Sequence, residues 1–249
     1  MLEHDTRRAA ADPAYHAFLD ARLPSLQAKK IPWWRRRFRG KRETLHYCLT
    51  REPIDPTGLF VEFGVFRGVS TRMMARSHPD RRIFGFDSFE GFPEDGRHDW
   101  KQDFSTGGTL PEVPSNVTLI KGFFDATLPE FVAAHAGEHL ALIHIDCDIY
   151  SSTKTVFDLC RPMIRPGCLI VFDELLHYGG FHLNEMLAFW EFLRATGLDF
   201  EWVATKGNVM PFAQFRDRGD PLRASMKQMS DWRRAGFDPA VAVRIVAPR

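Results

Sequence analysis

The chain is 249 residues long and carries 33 Lys and Arg against 32 Asp and Glu, a formal net charge of +1. That length suffices for a large core, and parallel α/β domains of this size often remain single units. Near-neutrality excludes a global attraction to nucleic acid or to an anionic membrane and points instead to small-molecule chemistry.

The N-terminus, MLEHDTRRAAADP, lacks the apolar core of a signal peptide. No segment approaches the ~18 uninterrupted apolar residues of a spanning helix. The four cysteines (Cys48, Cys147, Cys160, Cys168) form no C-x-x-C pair. The last three lie in apolar stretches, where free cysteine behaves as a small hydrophobe. A soluble protein of the reducing cytoplasm, with no membrane partner, is expected.

Residues 1–57 are charged, proline-punctuated and helical in pieces, and read as an appendage or lid. Within them WWRRRFRGKR (33–42) mixes aromatic and basic residues as RNA contacts or anionic-ligand sites do. A partner surface or an amphipathic helix covering the core fits the neutral chain better. From residue 58 the pattern becomes regular. LFVEF (59–63), RIFGF (82–86), VTLI (117–120), LALIHI (140–145), CLIVF (168–172), FEWVA (200–204) and VAVRIV (241–246) read as seven strands. Helical stretches lie between them at 69–77, 128–135 behind a capping box of Thr127 and Glu130, 152–164, and 183–196 ending at Gly197. Alternation of this kind predicts a mainly parallel sheet with helices on both faces and ligands beyond the carboxyl ends of the strands. The connection at about 205–239 is longer than usual and is a candidate lid, partner surface or mobile loop.

The strand ends carry the chemistry. The first runs into VEFGVFRGVSTRMMA, where Glu62 closes the strand and Gly64 and Gly68 turn the chain into a helix near 69. This is either a cofactor loop or simply a tight strand-to-helix turn. It is not a dinucleotide fingerprint, because positions 66 and 69 are Phe and Val where G-x-G-x-x-G needs glycine. The second strand ends at Asp87, near the spacing at which an acid contacts ribose hydroxyls; an Asp turn or a helix cap is the alternative. After the third strand, KGFFDATLP offers Phe123 and Phe124 to an adenine face and Asp125 to an exocyclic amine, or packs the two rings into the core.

The fourth strand ends LIHIDCDIYSST. Residues at i and i+2 of a strand point the same way, so Asp146 and Asp148 share one site and call for a compensating positive charge. The fifth strand ends at Asp173 and Glu174, which adjacent parallel strands would bring beside them. Converging carboxylates without cysteine are hard oxygen ligands, suited to Mg²⁺ or Mn²⁺. A helix cap by Asp148 and a surface position for Glu174 are the plainer readings. His144 points the way of Asp146, either as a donor orienting a carboxylate or as a core histidine. His177, Tyr178 and His182 follow in a glycine-containing loop, as substrate contacts or solvated residues.

Taken together, FVEFGVFRGVST, GFDSFEGFP, GFFDATLP, IHIDCDIYSST and PGCLIVFDE closely resemble the macrocin-type, TylF-like O-methyltransferases over roughly residues 59–196. The resemblance implies a class I methyltransferase Rossmann-like fold: a seven-stranded, mostly parallel sheet, helices on both faces and an N-terminal helical lid over a 58–249 domain. It implies S-adenosylmethionine and a divalent metal, Mg²⁺ or Mn²⁺, and a small-molecule hydroxyl acceptor such as a sugar or glycosylated natural product. Carried onto matching positions, Asp146, Asp173 and Glu174 are metal ligands and Asp148 is the general base. Glu174 replaces the second Asp of the family pattern, and its added methylene changes the ligand's reach. The cofactor set is Glu62, Gly64, Gly68 and Ser70 near the methionine end, Asp87 and Ser88 at the ribose, and Phe124 and Asp125 at the adenine. A catechol-type O-methyltransferase is the nearer alternative, and a non-catalytic S-adenosylmethionine-binding or RNA-associated module the more distant one. Nucleic acid is not an expected partner, and homo-oligomerisation is left open.

Overall fold

Side-chain alternation along short apolar runs sets the two faces of the sheet. The computed structural model describes residues 9–32, 42–94, 104–178, 180–212 and 236–248. Seven strands, β1 (Leu59–Phe63), β2 (Ile83–Asp87), β3 (Val117–Lys121), β4 (Leu140–Ile145), β5 (Leu169–Phe172), β6 (Asp199–Thr205) and β7 (Val241–Val246), form one sheet in the order β3-β2-β1-β4-β5-β7-β6. Strands β1 to β5 pair in parallel, and β7 runs antiparallel between β5 and β6. All seven expected strands are present. The order reverses between β1 and β4, which opens the crevice where α/β sheets of this type hold ligands.

Leu59, Val61 and Phe63 point to one face with Ile143, Ile145, Ile170 and Phe172. Phe60, Leu142, Leu169 and Val171 point to the other. The first face is covered by α1 (Pro13–Leu26), α4 (Phe124–Ala134), α5 (Tyr150–Cys160) and α6 (Glu185–Thr196), the second by α2 (Glu43–Arg51) and α3 (Val69–Ser77). The described part of the N-terminal region is thus built into both layers. Leu19, Leu23 and Leu26 of α1 are fully buried, each worth roughly 1.5–3 kcal/mol, which ties this helix to the core. The basic stretch at 33–41 lies outside the described residues, as does 213–235 of the long connection.

Two local expectations are corrected. The helix after β3 begins at Phe124, so Thr127 and Glu130 form no capping box; Thr127 sits inside the helix, and its hydroxyl donates to the Phe123 carbonyl at 3.0 Å. The α-helix expected over 152–164 spans Tyr150–Cys160 and tightens to a 3₁₀ turn at Arg161–Met163, where Pro162 lacks the N–H that an α-helix would use. Among the described residues no helix is long and apolar enough to cross a membrane, and all four cysteines are buried and unpaired.

Candidate active site

Four loops at the carboxyl edge of the sheet each hold a non-glycine residue in the left-handed region: Phe66 (φ 49°) after β1, Phe89 (φ 57°) after β2, Asp148 (φ 65°) after β4 and His177 (φ 61°) beyond β5. Such conformations cost of order 1–3 kcal/mol each and persist where surrounding contacts impose them. Asp87 supplies such contacts. Its Oδ2 accepts the backbone N–H groups of Val65 and Phe66 at 2.8 and 2.6 Å, and its Oδ1 accepts that of Phe89 at 2.7 Å. The Asp turn expected as an alternative is therefore real, and one acceptor direction of Oδ1 is left for a ligand.

Gly64 (φ 93°) lets β1 turn beneath β4, and a Cβ there would lie 1.9 Å from the Asp146 carbonyl oxygen. Gly68 (φ 68°) is the N-cap of α3, and Ser70 is buried in that helix's first turn. The Ser88 hydroxyl donates to the Gly91 carbonyl and accepts the Glu90 N–H, closing a local turn. Phe124 packs edge-on against Phe63, with centroids 5.4 Å apart, whereas Phe123 is 41% exposed. Asp125 is exposed in the first turn of α4. Glu62, expected near the methionine end, is the penultimate residue of β1. It is fully buried, with one oxygen on His144 Nδ1 at 2.8 Å and the other accepting from the Thr71 hydroxyl. Through these two partners the acid links β1 to β4 and to α3.

Asp146 and Asp148 follow β4 half-buried, while Cys147 between them is buried in the core and Asp148 takes the left-handed conformation. Helix α5 is capped at Ile149 without any side-chain hydrogen bond, which removes the helix-cap reading of Asp148. Asp173 and Glu174 follow β5 and are buried. A ligand atom from each of His144, Asp146 and Asp173 lies within 4.8 Å of the others. Glu174 is outside that trio but close enough for its charge to raise the pKa of Asp146 and Asp148. Burial first, then the neighbouring acids, push Asp146, Asp148 and Glu185 up from the usual carboxylate range; at Asp146 the His144 imidazole pulls the other way.

Glu185 is the residue that sequence reasoning missed. It opens α6, is 1% exposed, and accepts the Asp148 N–H at 3.3 Å through Oε1. Among the described residues its Oε2 has no partner, and neither has His144 Nε2. An unpaired buried polar group costs about 1–3 kcal/mol. The only sequence signal for Glu185 was an acid at the head of a mainly apolar helix, EMLAFWEFL. Mutually opposed carboxylates, two orphaned buried polar atoms and three convergent donor atoms fit a bound cation.

His177 and Tyr178 are buried rather than solvated. His177 Nδ1 donates to the Asp238 carbonyl at 2.9 Å and its Nε2 accepts the Met210 N–H at 3.4 Å, so the loop after β5 is tied to both ends of the long connection. His182 is partly buried and T-stacked on Phe212 at 5.5 Å.

Residues 61–175, which hold all of these strand ends except Glu185 and the histidine loop, match the family described as a methyltransferase domain. Over this segment the chain is similar to methyltransferase domains. A Streptomyces olivaceus protein named as 8-demethyl-8-(2,3-dimethoxy-alpha-L-rhamnosyl)-tetracenomycin-C 4'-O-methyltransferase is 32% identical over 157 residues, 53% of this chain and 59% of the relative's length. The calicheamicin methyltransferase CalS11 superposes with a TM-score of 0.53 at 23% identity, covering 80% of this chain and 86% of that one. The O-methyltransferase NovP gives 0.50 at 19% identity over the full length of both. The methyltransferase fold and the likeness to natural-product O-methyltransferases expected from the sequence are borne out.

Proposed function

We propose that the chain is an S-adenosylmethionine- and divalent-metal-dependent O-methyltransferase acting on a hydroxyl of a sugar or glycosylated natural product. The observation that carries this reading is the convergence of His144, Asp146, Asp148, Asp173, Glu174 and Glu185 beside the Gly64 loop. The glycosylated substrate in the name of the Streptomyces olivaceus relative supports the acceptor class.

S-adenosylmethionine supplies an electrophilic methyl group. The loop from Gly64 to Ser70, the remaining acceptor direction of Asp87 and the turn at Ser88 frame its site, with Phe124 and Asp125 at the far end. Asp146 and Asp173, with Glu174 behind them, would hold a divalent cation, which supplies Lewis acidity toward the acceptor hydroxyl. Asp148 takes the hydroxyl proton on its carboxylate. Burial and the flanking acids push its pKa up, and a cation held beside it would favour the ionised form that accepts the proton. Glu185, through the Asp148 N–H, fixes the left-handed turn that aims this carboxylate.

The test is transfer of label from methyl-labelled S-adenosylmethionine to rhamnosylated small molecules such as a rhamnosyl-tetracenomycin, in chelator and after adding back Mg²⁺ or Mn²⁺. Label on a sugar hydroxyl only with metal present is the expected result. Transfer undiminished by chelator refutes the metal requirement, and transfer to simple catechols but not to glycosides refutes the acceptor class.

A further inference from the structure

A histidine held by a buried carboxylate stands beside the two acids of the candidate cation site. Glu62 of β1 and His144 of β4 are register partners across the switch point. Glu62 Oε1 engages His144 Nδ1 at 2.8 Å, and Glu62 Oε2 is in turn held by the Thr71 hydroxyl of α3. The imidazole is 1% exposed and its ring cannot swing, because Nδ1 is committed to a carboxylate that is itself pinned. What remains is Nε2, buried and without a partner among the described residues, on a residue that groups with Asp146 and Asp173. A histidine whose one ring nitrogen is fixed by a carboxylate leaves the other oriented as a metal donor, and the carboxylate raises its basicity.

We propose that His144 Nε2 is a direct ligand of the cation held by Asp146 and Asp173, with Glu62 as its positioning residue. The centre is then a mixed one-nitrogen, two-carboxylate set rather than an all-oxygen set. Such a set selects a first-row transition cation such as Mn²⁺ or Co²⁺ over Mg²⁺, because imidazole suits borderline cations while Mg²⁺ prefers oxygen and water. Glu62 thereby joins Thr71, in the first turn of α3, to His144. This inference rests on the reading of Asp146 and Asp173 as a cation site.

The test is Mn²⁺ titration of the chelator-stripped full-length protein, read by electron paramagnetic resonance for free ion and by electron spin echo modulation for bound ion. The expected result is bound Mn²⁺ with ¹⁴N modulation from an imidazole, displaced by Mg²⁺ only at large excess. His144→Gln removes the modulation. Glu62→Leu weakens Mn²⁺ binding by about 10–100-fold, the usual effect of losing a partner that orients a ligand, and Glu62→Gln, which keeps an acceptor for Nδ1, restores much of it. Bound Mn²⁺ without nitrogen modulation in the unmodified protein overturns the inference while leaving the proposed function standing, and needs no variant to fold. No Mn²⁺ or Co²⁺ binding at all overturns both.

Discussion

Gly64 carries a constraint that any larger residue violates twice. Its φ of 93° is left-handed, and a Cβ would press to 1.9 Å from the Asp146 carbonyl oxygen, a backbone atom that cannot give way. Gly64→Ala is therefore expected to lower unfolding stability by at least roughly 1–3 kcal/mol, the cost of a strained backbone site, and to displace Asp146. Urea unfolding of the variant checks the first, and its metal affinity the second; an unchanged midpoint would show that the loop relaxes freely. The same scale explains what the sequence concealed. That Asp146 and Asp148 lie close together was legible from their spacing of two residues at a strand end, although Asp148 reaches its place through a left-handed turn rather than through strand periodicity. The partner of His144 was not, since Glu62 lies 82 residues away and meets it only through β1–β4 register. Glu185 was hidden for a similar reason, as its contact with Asp148 depends on how α6 docks rather than on any local spacing.

The loop after β5 is an element held by one neutral histidine. Burial lowers the pKa of His177 to about 4, and its two ring nitrogens already serve as one donor, to Asp238 O, and one acceptor, from Met210 N. A proton on Nε2 breaks the second bond. Because the folded value lies below the unfolded value of about 6.5, the unfolded chain binds more protons between these limits, so stability falls as pH drops. The contribution is complete above about pH 6.5, and about 2 kcal/mol of it is lost by pH 5. His177→Gln should flatten that part of the pH–stability profile measured by thermal unfolding; an unaltered slope would place the acid sensitivity elsewhere. At this scale all seven strands were readable from apolar runs, whereas helix starts were less so. Helix α4 begins at Phe124 because tertiary packing of that ring on Phe63 recruits a turn that the Thr127–Glu130 pattern left out.

Across the whole molecule, a net charge of +1 conceals a strongly uneven distribution, with the acids of β4, β5 and α6 gathered at one end of the sheet. A parallel sheet with ligands at its carboxyl edge followed from strand and helix alternation. The placement of β7 antiparallel between β5 and β6 did not, because that order depends on pairing across the long connection rather than on the composition of any strand. The central claim is that this edge divides labour between a cation site and a base. It is tested most directly by the initial methylation rate as a function of Mg²⁺ or Mn²⁺ concentration for the unmodified chain, Asp146→Asn and Asp148→Asn. Asp146→Asn is expected to need more metal, a neutral amide being a poorer ligand for a hard cation, whereas Asp148→Asn keeps the metal midpoint and loses roughly 10²–10⁴-fold in maximal rate. Identical metal midpoints for all three, or full activity of both variants without metal, would contradict it.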